Sequence, residues 1–408
     1  MKYLPVAALL AFVPLAAHAQ QTDANVNERY TVESVEVSGF DQAKLNQGIR
    51  DEIHGLVDRK FSQEKIDEIS RLLHRALPGR TVGVKISRGE QPDHVKIIFE
   101  VHHHQERFDL AAPKAVYQSK QGFSAEVDAT VKVGTNSFTV GVLDDGDSLV
   151  ERFGGVRARY ENRRLGTDRV SLAFEFDSFH TMWNGATRDV IDNTPALYRT
   201  RQNFELVATV TLARGLKLSA GMSFERFQTQ FPAAHTEASN AVVSTLRYDR
   251  LLEEPGPNKH RVEAGYSLRA ATKSLGSDYA YSRHGFDFHY TLWRGAHRLA
   301  AHFTSGVIGG TASMFDRFVL GNSTTLRGWN KYDIAPAGGD RFVHNSTEYR
   351  YRAFEVFYDT GAVWNSGQRA TARHSAGAGF HLGDLAFLVA FPIRNGRAEP
   401  VFIAGLNL

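Results

Sequence analysis

The chain has no cysteine in 408 residues. Disulfides cannot brace it, so its stability must come from a packed core, from sheet closure or from a membrane. It also lacks apolar runs of the length that a helical membrane span needs, about 20 residues, anywhere after residue 20. Helical spans are therefore excluded. A strong excess of one charge is missing as well. The formal net charge is +3 with 17 histidines counted neutral, which gives no support to nucleic-acid binding. No catalytic constellation appears: there is no G-x-S-x-G elbow, no zinc pattern and no P-loop. The expectation is a protein that is not an enzyme and uses no cofactor or metal.

What is present begins with an N-terminal signal peptide, expected over residues 1–19. Lys2 supplies a positive start, Leu4 to Ala16 is apolar but too short to span a membrane, and Ala17-His18-Ala19 fits small-x-small cleavage before Gln20.

Residues 29–104 read as a small mixed α+β domain. Thr31 to Ser38 alternates, with Val32, Val35 and Val37 as its apolar positions. Asp41 is placed to cap a helix running to about Ile53. Ser62 opens a second helix, whose apolar stripe is Ile66, Ile69, Leu72, Leu73 and Leu77, and Pro78-Gly79 stops it. Strands follow near Thr81 to Ser87 and Asp93 to Val101. Two helices on one face of a three-stranded sheet would leave a sheet edge open. His102-His103-His104 resembles a metal tract but has no second ligand cluster, so a solvated junction is expected.

From about residue 106 the helical period vanishes. Segments of roughly ten residues alternate strictly, as membrane barrel strands do. In Arg169 to Phe179, Val170, Leu172, Phe174 and Phe176 share one face, and Ser171, Ala173, Glu175 and Asp177 the other. A soluble sandwich would alternate too. Persistence of the pattern to the end of the chain, the signal peptide, and aromatics near segment ends (Trp183, Tyr198, Tyr279, Trp293, Trp364) favour an outer-membrane barrel over 106–408. About fifteen segments can be counted, the first near 122–133, although single-chain barrels carry even numbers. Asp144-Asp145-Gly146-Asp147 looks like part of a calcium loop but lacks the downstream Glu, and a solvated turn is expected there.

One connection, Phe315 to Arg341, is unusually long, and long connections are usually functional. It contains Phe318-Val319-Leu320-Gly321, then Leu326-Arg327-Gly328-Trp329, then Gly338-Gly339, and the strand Phe357-Tyr358-Asp359-Thr360-Gly361 follows. In these features the chain resembles the BamA/TamA superfamily of outer-membrane assembly factors, which includes two-partner-secretion transporters. The match is to a bacterial surface antigen-type barrel with a single POTRA domain.

The resemblance implies sixteen antiparallel strands, five of them after the loop. It implies that loop 315–341 folds back into the lumen and that the mixed domain is a POTRA module in the periplasm. It further implies insertion or translocation of polypeptides, with outer-membrane lipid and an unfolded client as partners, the client binding at the POTRA edge. A pore or structural barrel without client activity is the alternative. The chain departs from the family pattern in its single POTRA, its fifteen countable strands and its terminal Leu408.

Inside a lumen, Arg327 would be a desolvated cation in need of a partner. Asp359 shares the polar face of its strand with Glu355, Phe357 and Gly361, and a bidentate Arg327–Asp359 pair would pin the loop. Glu348 is a second candidate partner. Gly328 and Gly361 would allow close backbone approach, and Trp329 would wedge against the wall.

Overall fold

The computed structural model describes residues 29–77, 80–103, 107–191, 197–229, 234–253, 258–394 and 399–406. The expected signal peptide, Pro78-Gly79, His104 and Leu408 lie outside these residues. The chain forms two compact units that divide between residues 104 and 105.

The first unit contains β1 (Thr31–Ser38), α1 (Gln47–His54), α2 (Gln63–Ala76), β2 (Arg80–Arg88) and β3 (His94–His103). The sheet order is β1-β3-β2, with β1 parallel and β2 antiparallel to the central β3. A register shift between Val32 and Ser34 brings Val32 and Val37 onto the same buried side despite their odd spacing. Ile66, Ile69 and Leu73 of α2 pack with Ile97 and Phe99 of β3 in one apolar core.

The single helix expected from Asp41 is instead two elements. Asp41 caps a short 3-10 turn, Gln42–Lys44, and Asn46 caps α1 by accepting the Ile49 N–H at 2.9 Å. Two residues able to cap lie five positions apart, and the second ends the first turn. The outer edge of β1 is partly covered by the segment before α2, through Val32 N–H to the Arg59 carbonyl and Asp58 N–H to the Val32 carbonyl, each 2.9 Å. The outer edge of β2 has no strand beside it among the described residues, and Val84 and Ile86 are exposed there.

The second unit is a closed antiparallel barrel of sixteen strands. In order these are β4 (Arg107–Gln118), β5 (Gly122–Val133), β6 (Asn136–Asp145), β7 (Arg152–Asn162), β8 (Val170–Met182), β9 (Thr200–Ala213), β10 (Leu216–Thr229) and β11 (His235–Glu253). The remaining eight are β12 (Asn258–Ala271), β13 (Ala280–Arg294), β14 (His297–Thr311), β15 (Arg341–Tyr351), β16 (Phe354–Trp364), β17 (Arg373–Leu382), β18 (Leu385–Pro392) and β19 (Val401–Leu406). Neighbours in sequence pair, and β19 pairs with β4 to close the ring.

The strand that the alternation did not reveal is β4. Ala111 pairs with Asp128 and Lys114 with Glu126, so two residues of β4, Ala112 and Pro113, sit opposite one of β5. This bulge flips the phase: Phe108 and Leu110 face outward before it and Tyr117 after it. Proline has no N–H for a ladder, and a bulge is one of the few places a sheet tolerates it.

Outward positions are apolar around the ring, including Phe138, Phe176, Phe224, Phe286, Tyr358 and Phe402. Inward positions are polar and interlocked. Arg157, for example, donates to Glu126 at 2.5 Å and Asp177 at 2.9 Å. This is the inverse of a soluble protein and what a lipid solvent selects. Two-residue turns such as Arg214-Gly215, Gly295-Ala296 and Arg352-Ala353 close one end, and the long connections close the other.

Candidate functional site in the barrel lumen

The connection between β14 and β15 enters the barrel and brings its central turn against the inner wall of β15 to β18. The turn is tight: Leu326 has φ +47° and Gly328 φ +91°, and Trp329 N–H bonds back to the Leu326 carbonyl at 3.2 Å. A left-handed Leu is strained, and here it is held by full burial and by its N–H donating to His344 Nε2 at 3.1 Å. Gly328 has to be glycine for a second reason: a Cβ would lie 3.0 Å from the Ala390 Cβ and 3.2 Å from Pro392 Cδ and Ser375 Oγ.

Between these two residues Arg327 turns into the wall. Its Nε donates to Asp359 Oδ2 at 2.9 Å and its Nη2 to Asp359 Oδ1 at 2.8 Å, a bidentate fork. The Arg327 backbone N–H adds a third bond to Asp359 Oδ2 at 2.9 Å. Glu348 lies 2.9 Å from Nη1 and Glu355 3.8 Å. Ser346 Oγ accepts from Nη2 at 2.9 Å and itself donates to Asp359 at 2.7 Å. The guanidinium sits 3.7 Å from the centre of the Phe357 ring. Asp359 is fully buried and the Arg327 side chain nearly so, which makes this a desolvated pair with its hydrogen bonds satisfied.

Each residue singled out in the sequence therefore has a place in one cluster. Gly361 lets Leu320 approach, since a Cβ there would lie 3.1 Å from Leu320 Cδ1. Trp329 is buried, donates its indole N–H to the His374 carbonyl at 2.8 Å, and carries the Arg394 guanidinium 4.5 Å from its ring centre. Sequence reasoning placed Glu355 on the inward face without a role at Arg327, and assigned no contact to Ser346 or His344. Their inward parity on β15 and β16 was the available signal.

Three of the aromatics read as an interfacial girdle, Trp183, Tyr198 and Tyr279, pack instead around the foot of the loop. Phe315, at its foot, stacks on Phe227 with ring centres 4.5 Å apart, and contacts Trp183 at 5.6 Å and Tyr198 at 6.4 Å. Tyr279 packs edge-on to Phe227. Residues just beyond a strand end lose the two-residue parity, so sequence does not say whether they face lipid or fold inward. Next to Phe315, Asp316 accepts from the Tyr281 hydroxyl at 2.8 Å and lies 3.4 Å from Arg269. The expected solvated turn at 144–147 is also not one. Asp145 and Asp147 are buried, and both accept hydrogen bonds.

The model of the Omp85 superfamily domain matches residues 155–397, well over half of the chain. The protein belongs to the Omp85 superfamily. Membership and a closed barrel with an apolar outer face make it a Gram-negative outer-membrane protein. Solved structures of similar fold include the crystal structure of BamA from Haemophilus ducreyi lacking POTRA domains 1–3. It has a TM-score of 0.59 and 16% identity, over 92% of this chain and 84% of that one. CdiB from Acinetobacter baumannii gives 0.58 and 12%, over 93% and 74%. CdiB from Escherichia coli gives 0.54 and 11%, over 93% and 76%. At such identities the likeness concerns the fold. No curated protein matches the chain.

Proposed function

We propose that this barrel handles polypeptide chains, inserting outer-membrane proteins or translocating a partner, and does so at its seam. One observation carries the reading. β19 and β4 share four registered pairs among the described residues, whereas β13 and β14 share fifteen. Among the described residues, Arg107 to Lys114 of β4 have no partner on the β19 side, and backbone donors and acceptors there would template an unfolded client.

The N-terminal unit acts as a POTRA domain in the periplasm. Its strand–helix–helix–strand–strand order supports this, and so does β4 beginning at the short-turn end of the barrel. An extended client would add beside β2, the edge without a neighbouring strand, with Val84 and Ile86 offering apolar contact. The lock formed by Arg327, Gly328, Trp329, Phe357 and Asp359 keeps the loop seated in the lumen while the seam works. Outer-membrane lipid is the solvent of the outer face.

The test is reconstitution into lipid vesicles with an unfolded outer-membrane barrel as client. The client should fold faster than with empty vesicles. Equal rates, together with free passage of small ions, would replace this reading with a plain pore.

A further inference from the structure

We infer that Lys331, Ser323 and Asp147 form a second latch, and that this latch and Arg327 together strap the lumenal loop across the seam. The inference rests on the seam-opening reading proposed above and names the contact that regulates it.

The loop is bonded on both flanks of the β19–β4 seam, the pair with the fewest registered partners among the described residues. On one flank, Arg327 holds Asp359 of β16 and Trp329 donates to the His374 carbonyl of β17. On the other, Gln121, in the turn after β4, donates to the Gly321 carbonyl at 2.6 Å. Ser323 donates its N–H to Asp147 Oδ1 at 2.9 Å and its hydroxyl to the same carboxylate. The Lys331 ammonium, 1% exposed as a residue, donates to the carbonyls of Gly146 at 2.7 Å, Asp147 at 3.3 Å and Leu149. Residues 146–151 connect β6 to β7. Around the ring the order runs β16-β17-β18-β19-β4-β5-β6-β7, so the β19–β4 seam lies between the two sets of bonds.

That turn is shaped to receive a cation. Asp145 accepts the N–H groups of Asp147 at 2.7 Å and Ser148 at 3.1 Å, which curls the chain and turns carbonyls toward Lys331. Lys114 of β4 lies 2.6 Å from Asp145 and 3.6 Å from Asp147, so the first barrel strand is tied to the same turn. The motif that resembles a piece of a calcium loop is thus filled by an ammonium carried on the loop.

Widening the seam moves the two flanks apart, and one set of bonds has to release. Removing Arg327 from its place strands the fully buried Asp359, which keeps only the Ser346 hydroxyl, while Glu348 retains Arg298 at 3.5 Å and Glu355 retains His381 at 2.8 Å. Removing Lys331 strands carbonyl dipoles, and Asp147 keeps Lys114 beside it. A stranded buried charge costs far more than a stranded dipole. The Lys331 side therefore lets go first, and Arg327 stays as the pivot.

The absence of cysteine allows a direct test in the full-length protein in vesicles. Tyr117 and Ala404 are registered partners across the seam, and Phe288 and Phe303 are partners across β13 and β14. Cysteine pairs at Tyr117/Ala404 and at Phe288/Phe303 are oxidised in separate proteins, with and without Lys331→Met. The latch predicts a lower disulfide yield at the seam in Lys331→Met and an unchanged yield at the control pair. An unchanged seam yield overturns the inference, and so does an equal fall at both pairs, which would mean general loosening. Should Lys331→Met fail to fold, Asp147→Asn carries the same prediction. No client is present, so a failure here is separable from a failure of the proposed function.

Discussion

Replacing Arg327 by alanine is the sharpest perturbation the lock offers. Removing one partner of a buried, hydrogen-bonded ion pair costs on the order of 3–5 kcal/mol, mostly because the other charge is left unpaired. Arg327→Ala strands the fully buried Asp359 and gathers two further carboxylates where the guanidinium stood, Glu348 with Arg298 at 3.5 Å and Glu355 with His381 at 2.8 Å. Its cost belongs at the upper end of that range. Asp359→Ala leaves Arg327 with Glu348 at 2.9 Å and Ser346 at 2.9 Å, so its cost should be roughly 2–3 kcal/mol. An isolated pair would give similar defects from either side. The extra acids make them unequal.

In the Arg327→Ala background, Asp359→Ala removes a stranded charge and should be close to neutral. Arg327→Lys keeps the charge but loses the fork and should recover part of the loss. The assay is the rate at which external trypsin cleaves after Lys331, a buried site whose exposure grows when Arg327 no longer holds the loop to the wall. When reclosing outpaces cleavage, this rate follows the open population, about tenfold per 1.4 kcal/mol. Additive effects of the two single changes, within about 0.5 kcal/mol, would refute the proposed pairing.

Further predictions follow from the same geometry. Gly328→Ala puts a Cβ at φ +91° and 3.0 Å from Ala390, and should speed cleavage after Lys331 by the equivalent of about 1–2 kcal/mol. Phe315→Ala empties the aromatic cage, a loss of up to about 3–5 kcal/mol for a fully buried ring, and should speed cleavage after Arg317 more than after Lys331. In the N-terminal unit, burial raises the Glu33 carboxyl, but the N–H groups of Glu90 and Gln91 and the Lys96 ammonium outweigh it and hold Glu33 below the ordinary carboxylate range. Its stabilising effect is then full above the unfolded pKa and lost as pH falls through the lower folded value. Hydrogen exchange of β1 and β3 should accelerate on acidification, and Glu33→Gln should flatten that dependence.

How much of this was legible in the sequence depended on whether a rule of period survived locally. The two-residue alternation exposed fifteen strands because one face meets lipid and the other meets charge. It failed on β4, where a bulge at Ala112-Pro113 shifts the phase within a single strand. The lock was readable because a lone Arg in a long loop needs an acid, and Asp359 stood at an inward position. The cage around Phe315 was not readable, since Trp183 and Tyr198 lie beyond strand ends where parity says nothing. Asp145 and Asp147 were expected in a solvated turn, and burial overturns that. Nothing in their neighbourhood could reveal that the cation, Lys331, lies about 180 residues away in sequence.

The central claim is that polypeptides are handled at the β19–β4 seam. The most direct measurement uses the Tyr117→Cys/Ala404→Cys protein in vesicles and follows the folding rate of an unfolded barrel client before oxidation, after oxidation and after reduction. Acceleration that disappears on oxidation and returns on reduction is predicted. Acceleration that persists with the seam covalently closed would contradict the claim.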